Sequence, residues 1–271
     1  MPRVRAKNAT PGAGTDRGDS DAAVSQSPQR RGVSNKMLVI ATAVAVAVAG
    51  LAAVAVRHRQ LVEQHNATGS QLRATGIPAS VSTPLANMMG LSPVPDQPAP
   101  NFTLTDQRGQ TMSLASLSGR AVILEFMDPH CVDICPIVSQ EFVDAYHDLG
   151  AAASRAVFLA VNVNPYHVDV ASMAAYSTAH NLDAIPSWHF LTGPVSSLQT
   201  VWRDYNVEVN APNANADVIH TSVMYFIDAL GHERYLASPS IDHTAAGTAY
   251  LPAGPLAQWG VGIAKVTESM S

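Results

Sequence analysis

The chain has 271 residues, of which 47% are hydrophobic and only 14% charged, and its formal net charge is −5. That length suits one domain of ordinary size with appendages, or two small domains. The charge is unevenly spread: residues 1–36 carry seven Lys/Arg (Arg3, Arg5, Lys7, Arg17, Arg30, Arg31, Lys36) against three Asp, whereas residues 57–271 carry nine basic against eighteen acidic residues. An acidic globular part without a basic face argues against nucleic acid as a partner.

Residues 1–36 are rich in Gly, Ser, Asp, Gln, Arg and Pro and poor in bulky apolar side chains. They cannot bury enough surface to order themselves and are expected to be a disordered tail. Then comes MLVIATAVAVAVAGLAAVAV, residues 37–56, without a charge. As a helix it is about 30 Å long, enough to cross the hydrocarbon core, and it follows too long a polar leader for a cleaved signal. The basic excess before it places the N-terminus in the cytoplasm and the bulk of the chain outside the cell membrane, as a single-pass protein. Residues 57–97, ending in LSPVPDQPAP, are expected to be an extended, proline-punctuated linker, with Met88 and Met89 packing rather than binding metal.

From 98 to 271 strands and helices alternate. NFTLTDQRGQTMSL (101–114) reads as a hairpin with Gly109 in the turn, and AVILEFM (121–127) as a strand buried on both faces. PIVSQEFVDAYHDLG (136–150) has helical spacing of Ile137, Phe142, Tyr146 and Leu149, with Gly150 as the stop. A second buried strand (156–163), a helix (168–182), a short strand (187–193) and a helix (195–207) follow. A hairpin, TSVMYFID to HERYLA, and a helix over 254–268 close the chain. Such an order predicts an α/β sandwich around a mixed central sheet.

The two cysteines of the chain, Cys131 and Cys135, fall where strand 121–127 feeds helix 136–150, with Pro136 in the helix's first turn. The positive end of the helix dipole lowers a thiol pKa, which suits both metal ligation and redox exchange. At helical i, i+4 spacing the Cα atoms are about 6 Å apart, within reach of a disulfide. The same pair can therefore be an oxidised bridge or a reduced two-sulfur clamp. A purely structural staple closing so short a loop would stabilise little. Thiolate with imidazole favours copper. Among ten histidines, His220 stands out directly before the apolar strand TSVMYFID (221–228); His130 and His189 are further candidates.

The stretch 98–268 resembles the Sco/SenC family of membrane-tethered copper proteins. PNFTLTDQRGQ is similar to the family's opening hairpin, AVILEFMDPHCVDICP to its buried strand and C-x-x-x-C-P loop, and AVNVNPYHVDVASMAAYS to its next strand, turn and helix. SWHFLTGPVSSLQTVWRDYNV matches its W-x-F-L-T-G strand and helix, and IHTSVMYFIDALG the segment opened by the third copper ligand. The resemblance implies a thioredoxin-like fold, with Cys131, Cys135 and His220 as ligands of Cu(I) or Cu(II). It also implies a role in assembling the copper centre of a haem–copper (cytochrome c) oxidase, whose subunit would be the acceptor. Three positions depart from the pattern. Val132-Asp133-Ile134 replaces the usual Pro-Asp-x between the cysteines, His130 precedes Cys131 as a further potential ligand, and Asn164 stands where an Asp is usual. A copper carrier is thus expected rather than an enzyme. The competing reading is a thiol–disulfide oxidoreductase or peroxidase on the same fold, against which stand the extra residue between the cysteines and the absence of proline in His220-Thr221-Ser222. A protein that only binds a partner is a third reading, and the complete Cys/Cys/His set speaks against it.

Overall fold

The structure, a computed structural model, describes residues 76–271. The expected tail (1–36), membrane segment (37–56) and the first part of the linker lie outside the described residues. Among the described residues no helix is long and apolar enough to cross a membrane.

Seven residues, apolar but for Glu125, form β4 (Ala121–Met127), and seven more, apolar but for Asn162, form β5 (Ala156–Asn162), both buried along their whole length. They pair in parallel from Ala121↔Ala156 to Met127↔Asn162. Parallel strands need both faces covered, and the side chains divide accordingly. Ile123, Met127, Phe158 and Ala160 point into one core, while Val122, Leu124, Phe126, Leu159 and Val161 point into the other. β6 (Trp188–Leu191) continues the parallel part beyond β5, and β9 (Met224–Ile227) pairs antiparallel with β4 on its other side. β10 (His232–Ala237) and β1 (Ser92–Pro98) complete a six-stranded mixed sheet in the order β1-β10-β9-β4-β5-β6.

The first core lies beneath α1 (Thr83–Met88), α2 (Ile134–Leu149), α3 (Val170–Ala179) and α5 (Ala253–Glu268). Val138, Phe142, Ala145 and Leu149 form the inward stripe of α2, and Gly150 ends it with φ 50°. Against α2 runs α5, and the crossing depends on Gly260. A Cβ there would stand 2.7 Å from Asp144 Cβ, so only glycine permits that approach. The second core is closed by the hairpin of β2 (Thr103–Thr105) and β3 (Thr111–Ser113) and by α4 (Val195–Asp204).

The α/β sandwich with a mixed sheet is as expected, but the folded part begins before residue 98. Residues 81–97 do not form a free spacer: Val81, Leu85, Met89 and Leu91 are core residues, and β1 pairs with β10. The prolines that suggest a linker are compatible with an edge strand, where half the backbone N–H groups need no partner. The 168–182 helix is also shorter than its pattern, because Asn181 turns left-handed (φ 57°) after Ala179.

Candidate metal centre

The loop between β4 and α2 carries both cysteines, and a buried carboxylate holds it in shape. Asp128 Oδ1 accepts the His130 N–H at 2.9 Å, and the Asp128 carbonyl accepts the Cys131 N–H at 3.1 Å. Asn164, in the turn after β5, donates its Nδ2 to the same Asp128 oxygen at 2.9 Å. An aspartate at 164 could only accept, and would set two carboxylates face to face. The amide at that position is therefore matched to Asp128. The His130 ring stacks on His167, with centroids 3.8 Å apart.

Cys131 is partly exposed, Cys135 is buried, and both are free thiols in this structure. Cys135 lies in the first turn of α2, and its N–H donates to Cys131 Sγ at 3.4 Å. The sulfur thus takes the place of a capping oxygen at the helix start, while the Asp133 carboxylate turns away to His243 Nε2 at 2.9 Å. Hydrogen bonds from the Cys135 thiol and N–H hold the Cys131 pKa down to about 7, against the opposing effect of burial. The Cys135 thiol is pushed well up, since it keeps its proton in the bond to Cys131 and is itself buried. One reactive sulfur and one reserve sulfur result. Behind them, Ser139 Oγ donates to the Cys135 carbonyl at 2.8 Å and so receives the Tyr176 hydroxyl at 3.0 Å.

His220 ends β8 (Ile219–His220), which pairs with β7 (Val209–Asn210) in a hairpin of two residue pairs. Its Nδ1 lies 3.0 Å from the Thr221 carbonyl. A carbonyl only accepts, so Nδ1 carries the proton and Nε2 keeps its lone pair for a ligand. Burial holds the His220 pKa below the usual histidine range, favouring the neutral ring a metal requires.

Cys131 and His220 line one cavity of about 620 Å³, shared with Asp128, His130, Asp133 and Asp217. A third wall is the hairpin of β11 (Asp242–His243) and β12 (Ala249–Tyr250), whose residues Gly247, Thr248 and Ala249 face it. Among the described residues, no three His, Cys, Asp or Glu side chains stand close enough to hold a metal ion together. Cys131 and the His220 imidazole thus share a cavity rather than a coordination sphere, with Cys135 buried behind Cys131. Two soft sulfur donors and one free imidazole nitrogen nevertheless fit copper by their chemistry. No Lys or Arg lines the cavity. Its rim is apolar: Val132 is 87% exposed and Ile219 69%, and the exposed Tyr166 and Tyr250 lie on neighbouring segments.

Of the other candidates, His130 lines the same cavity as Cys131 with its ring stacked on His167, and His189 lines a different cavity and pairs with Asp106 at 3.1 Å. The roles of Asp128, Asn164, Tyr176 and His243 are not legible from local spacing. Each partner lies 35 or more residues away in the chain, and the one local hint is the unusual Asn164.

This fold and this site define a thioredoxin-fold protein built around a dithiol at a helix N-terminus. The SCO1/SenC family profile matches residues 93–246, more than half of the chain, and the chain belongs to that family. A SCO1 protein homolog of Bacillus subtilis (strain 168) is 26% identical over 128 residues, covering 46% of this chain and 66% of its own length. The mitochondrial SCO2 homolog of Bos taurus is 31% identical over 137 residues, 48% of this chain and 50% of its own. The chain thus spans between half and two thirds of these curated relatives. The solution structure of apo Sco1 from Thermus thermophilus superposes with a TM-score of 0.51 at 20% identity, covering 66% of this chain and 94% of its own, which establishes the shared fold.

Proposed function

We propose that the chain is a copper-binding metallochaperone that serves the assembly of a haem–copper oxidase and is tethered to the cell membrane by residues 37–56, with residues 76–271 on the extracytoplasmic side. The observation that carries this reading is the single cavity lined by Cys131 and by His220, whose Nε2 is free, with Cys135 directly behind Cys131. The Cys131 and Cys135 sulfurs and His220 Nε2 would hold the copper. The sulfurs suit Cu(I), and the imidazole extends the site to Cu(II). Closing the site requires the β7–β8 hairpin to bring His220 towards the dithiol, and a hairpin of two pairs opposes such a shift weakly. Joining the sulfurs as a disulfide removes both thiolate donors, so loading needs the reduced pair. The apolar rim beside acidic groups supports docking of a protein acceptor.

The test uses the purified full-length chain, reduced and metal-free. It should bind about one copper, and His220→Ala should weaken Cu(II) by at least tenfold. Wild-type affinity in that variant rejects the ligand assignment.

A thiol–disulfide exchange activity is favoured by one observation, the pairing of a partly exposed Cys131 with a pKa near 7 and a buried Cys135. The Cys131 thiolate would attack an acceptor disulfide, releasing one acceptor thiolate. Cys135 would then attack the Cys131 sulfur and free the second. Turnover of a disulfide substrate by the metal-free chain supports this activity, and Cys135→Ser should trap the mixed disulfide.

A further inference from the structure

Away from the dithiol, a cavity of about 560 Å³ is lined by Arg120, Tyr146, Ser187 and His189 together with the segment Gly150–Ser154. No Asp or Glu lines it. Two of its polar atoms are enclosed without a hydrogen-bond partner, Arg120 Nε and Ser187 Oγ. Ser187 is only 9% exposed, and its hydroxyl has no protein partner. Arg120 donates Nη2 to the Ala156 carbonyl at 2.7 Å but meets no carboxylate in any ion pair among the described residues. A half-buried guanidinium without a counter-charge is costly unless something anionic arrives.

The charge distribution points the same way. Residues 76–271 contain six Lys/Arg; Arg120 lines the cavity, and Arg108 and Arg155 lie on segments beside it. Arg108 donates to the Trp188 carbonyl at 3.0 Å, and Arg155 ends the 3-10 turn that walls the cavity. Asp106, the acid beside His189, is already engaged by the His189 Nδ1 at 3.1 Å and the Arg108 Nη1 at 3.8 Å. The dithiol cavity, by contrast, has acids and no Lys or Arg. An otherwise acidic domain thus places an unpaired cation and an unpaired hydroxyl in one hollow.

We propose that this cavity binds a small oxyanion of the phosphate class, held by the Arg120 guanidinium and the Ser187 hydroxyl. A planar guanidinium presents parallel N–H groups to two oxygens of such a group, and a rotation about one bond turns the hydroxyl to a third. His189, whose Nδ1 is committed to Asp106, stands beside it as a wall. The anion is either free phosphate or the phosphate of a lipid headgroup. The proposal does not depend on copper, so replacing both Cys131 and Cys135 by Ser leaves it unchanged.

The experiment titrates the full-length chain with inorganic phosphate at constant ionic strength set by potassium chloride, read by calorimetry and by the thermal midpoint. A second arm uses dihexanoyl phosphatidic acid below its micellar concentration. Saturable binding near one per chain is expected, weakened at least tenfold in Arg120→Gln and about fivefold in Ser187→Ala. Saturation by inorganic phosphate identifies the free ion. Silence there with Arg120-dependent binding of the lipid analogue identifies a headgroup. Should Arg120→Gln fail to fold through loss of its bond to Ala156, Ser187→Ala decides alone, since its hydroxyl holds nothing in the fold. No saturation in either arm, or equal affinity in wild type and folded variants, overturns the proposal.

Discussion

Glu141 offers a quantitative test of how the first core is built. It lies on α2, fully buried, and neither carboxyl oxygen has a hydrogen-bond partner. Burial, reinforced by the charge of Asp144, raises its pKa from 4.5 to about 9. A carboxyl raised in the folded state keeps a proton that the unfolded chain releases. Its contribution therefore destabilises progressively as pH rises from about 4.5 towards 9, by about 1.4 kcal/mol per pH unit. At pH 7 the cost is about 3 kcal/mol, a large share of an ordinary domain's stability. Glu141→Gln keeps the shape and abolishes the titration. The assay is urea unfolding followed by tryptophan fluorescence at several pH values, since Trp188 and Trp259 are buried. Between pH 5 and 8 the wild type should lose about 4 kcal/mol relative to the variant. Measuring the difference between the two chains cancels other groups such as Glu125, which burial shifts in the same direction. Parallel stability curves for wild type and variant would refute the reasoning.

Further outcomes follow from the same geometry. Alkylation of the reduced, metal-free chain should modify Cys131 first, with a rate midpoint near pH 7 while Cys135 stays protected; a midpoint near the ordinary 9.0 would contradict the hydrogen-bonded thiolate. Asn164→Asp should destabilise the chain by about 1–3 kcal/mol and loosen the cysteine loop, because it replaces a donor to Asp128 by a second carboxylate; unchanged urea unfolding speaks against that role. Gly260→Ala should cost about 1–3 kcal/mol in the same assay, since the added methyl meets Asp144 at 2.7 Å and α5 must move off α2; a neutral result would mean that the crossing yields easily.

What the amino-acid order discloses, and what it hides, follows from the range of the interactions. The runs AVILEFM and AVFLAVN read as doubly buried strands because parallel pairing demands apolar residues on both faces. Gly150 marks the end of α2 correctly because a positive φ is a local requirement. β1 is hidden, since Pro93, Pro95 and Pro98 look like spacer, and only pairing with β10 and the burial of Leu91 reveal a strand. Glu125 is hidden inside an apolar run, although it is as buried as its neighbours. At the site the dithiol is legible from its place before a helix. The remoteness of its supports hides the rest: Asp128 finds Asn164, and Asp133 finds His243, only after the chain has folded. His220 is marked in the sequence by its position before an apolar strand and by the family resemblance. That it shares the Cys131 cavity with a free Nε2 is a fact of the fold.

The most direct measurement is electron paramagnetic resonance of the reduced full-length chain loaded with one Cu(II), using histidine labelled with ¹⁵N. The account predicts sulfur ligation together with hyperfine coupling to one imidazole nitrogen, and the loss of that coupling in His220→Ala. Identical spectra for the two chains would contradict it.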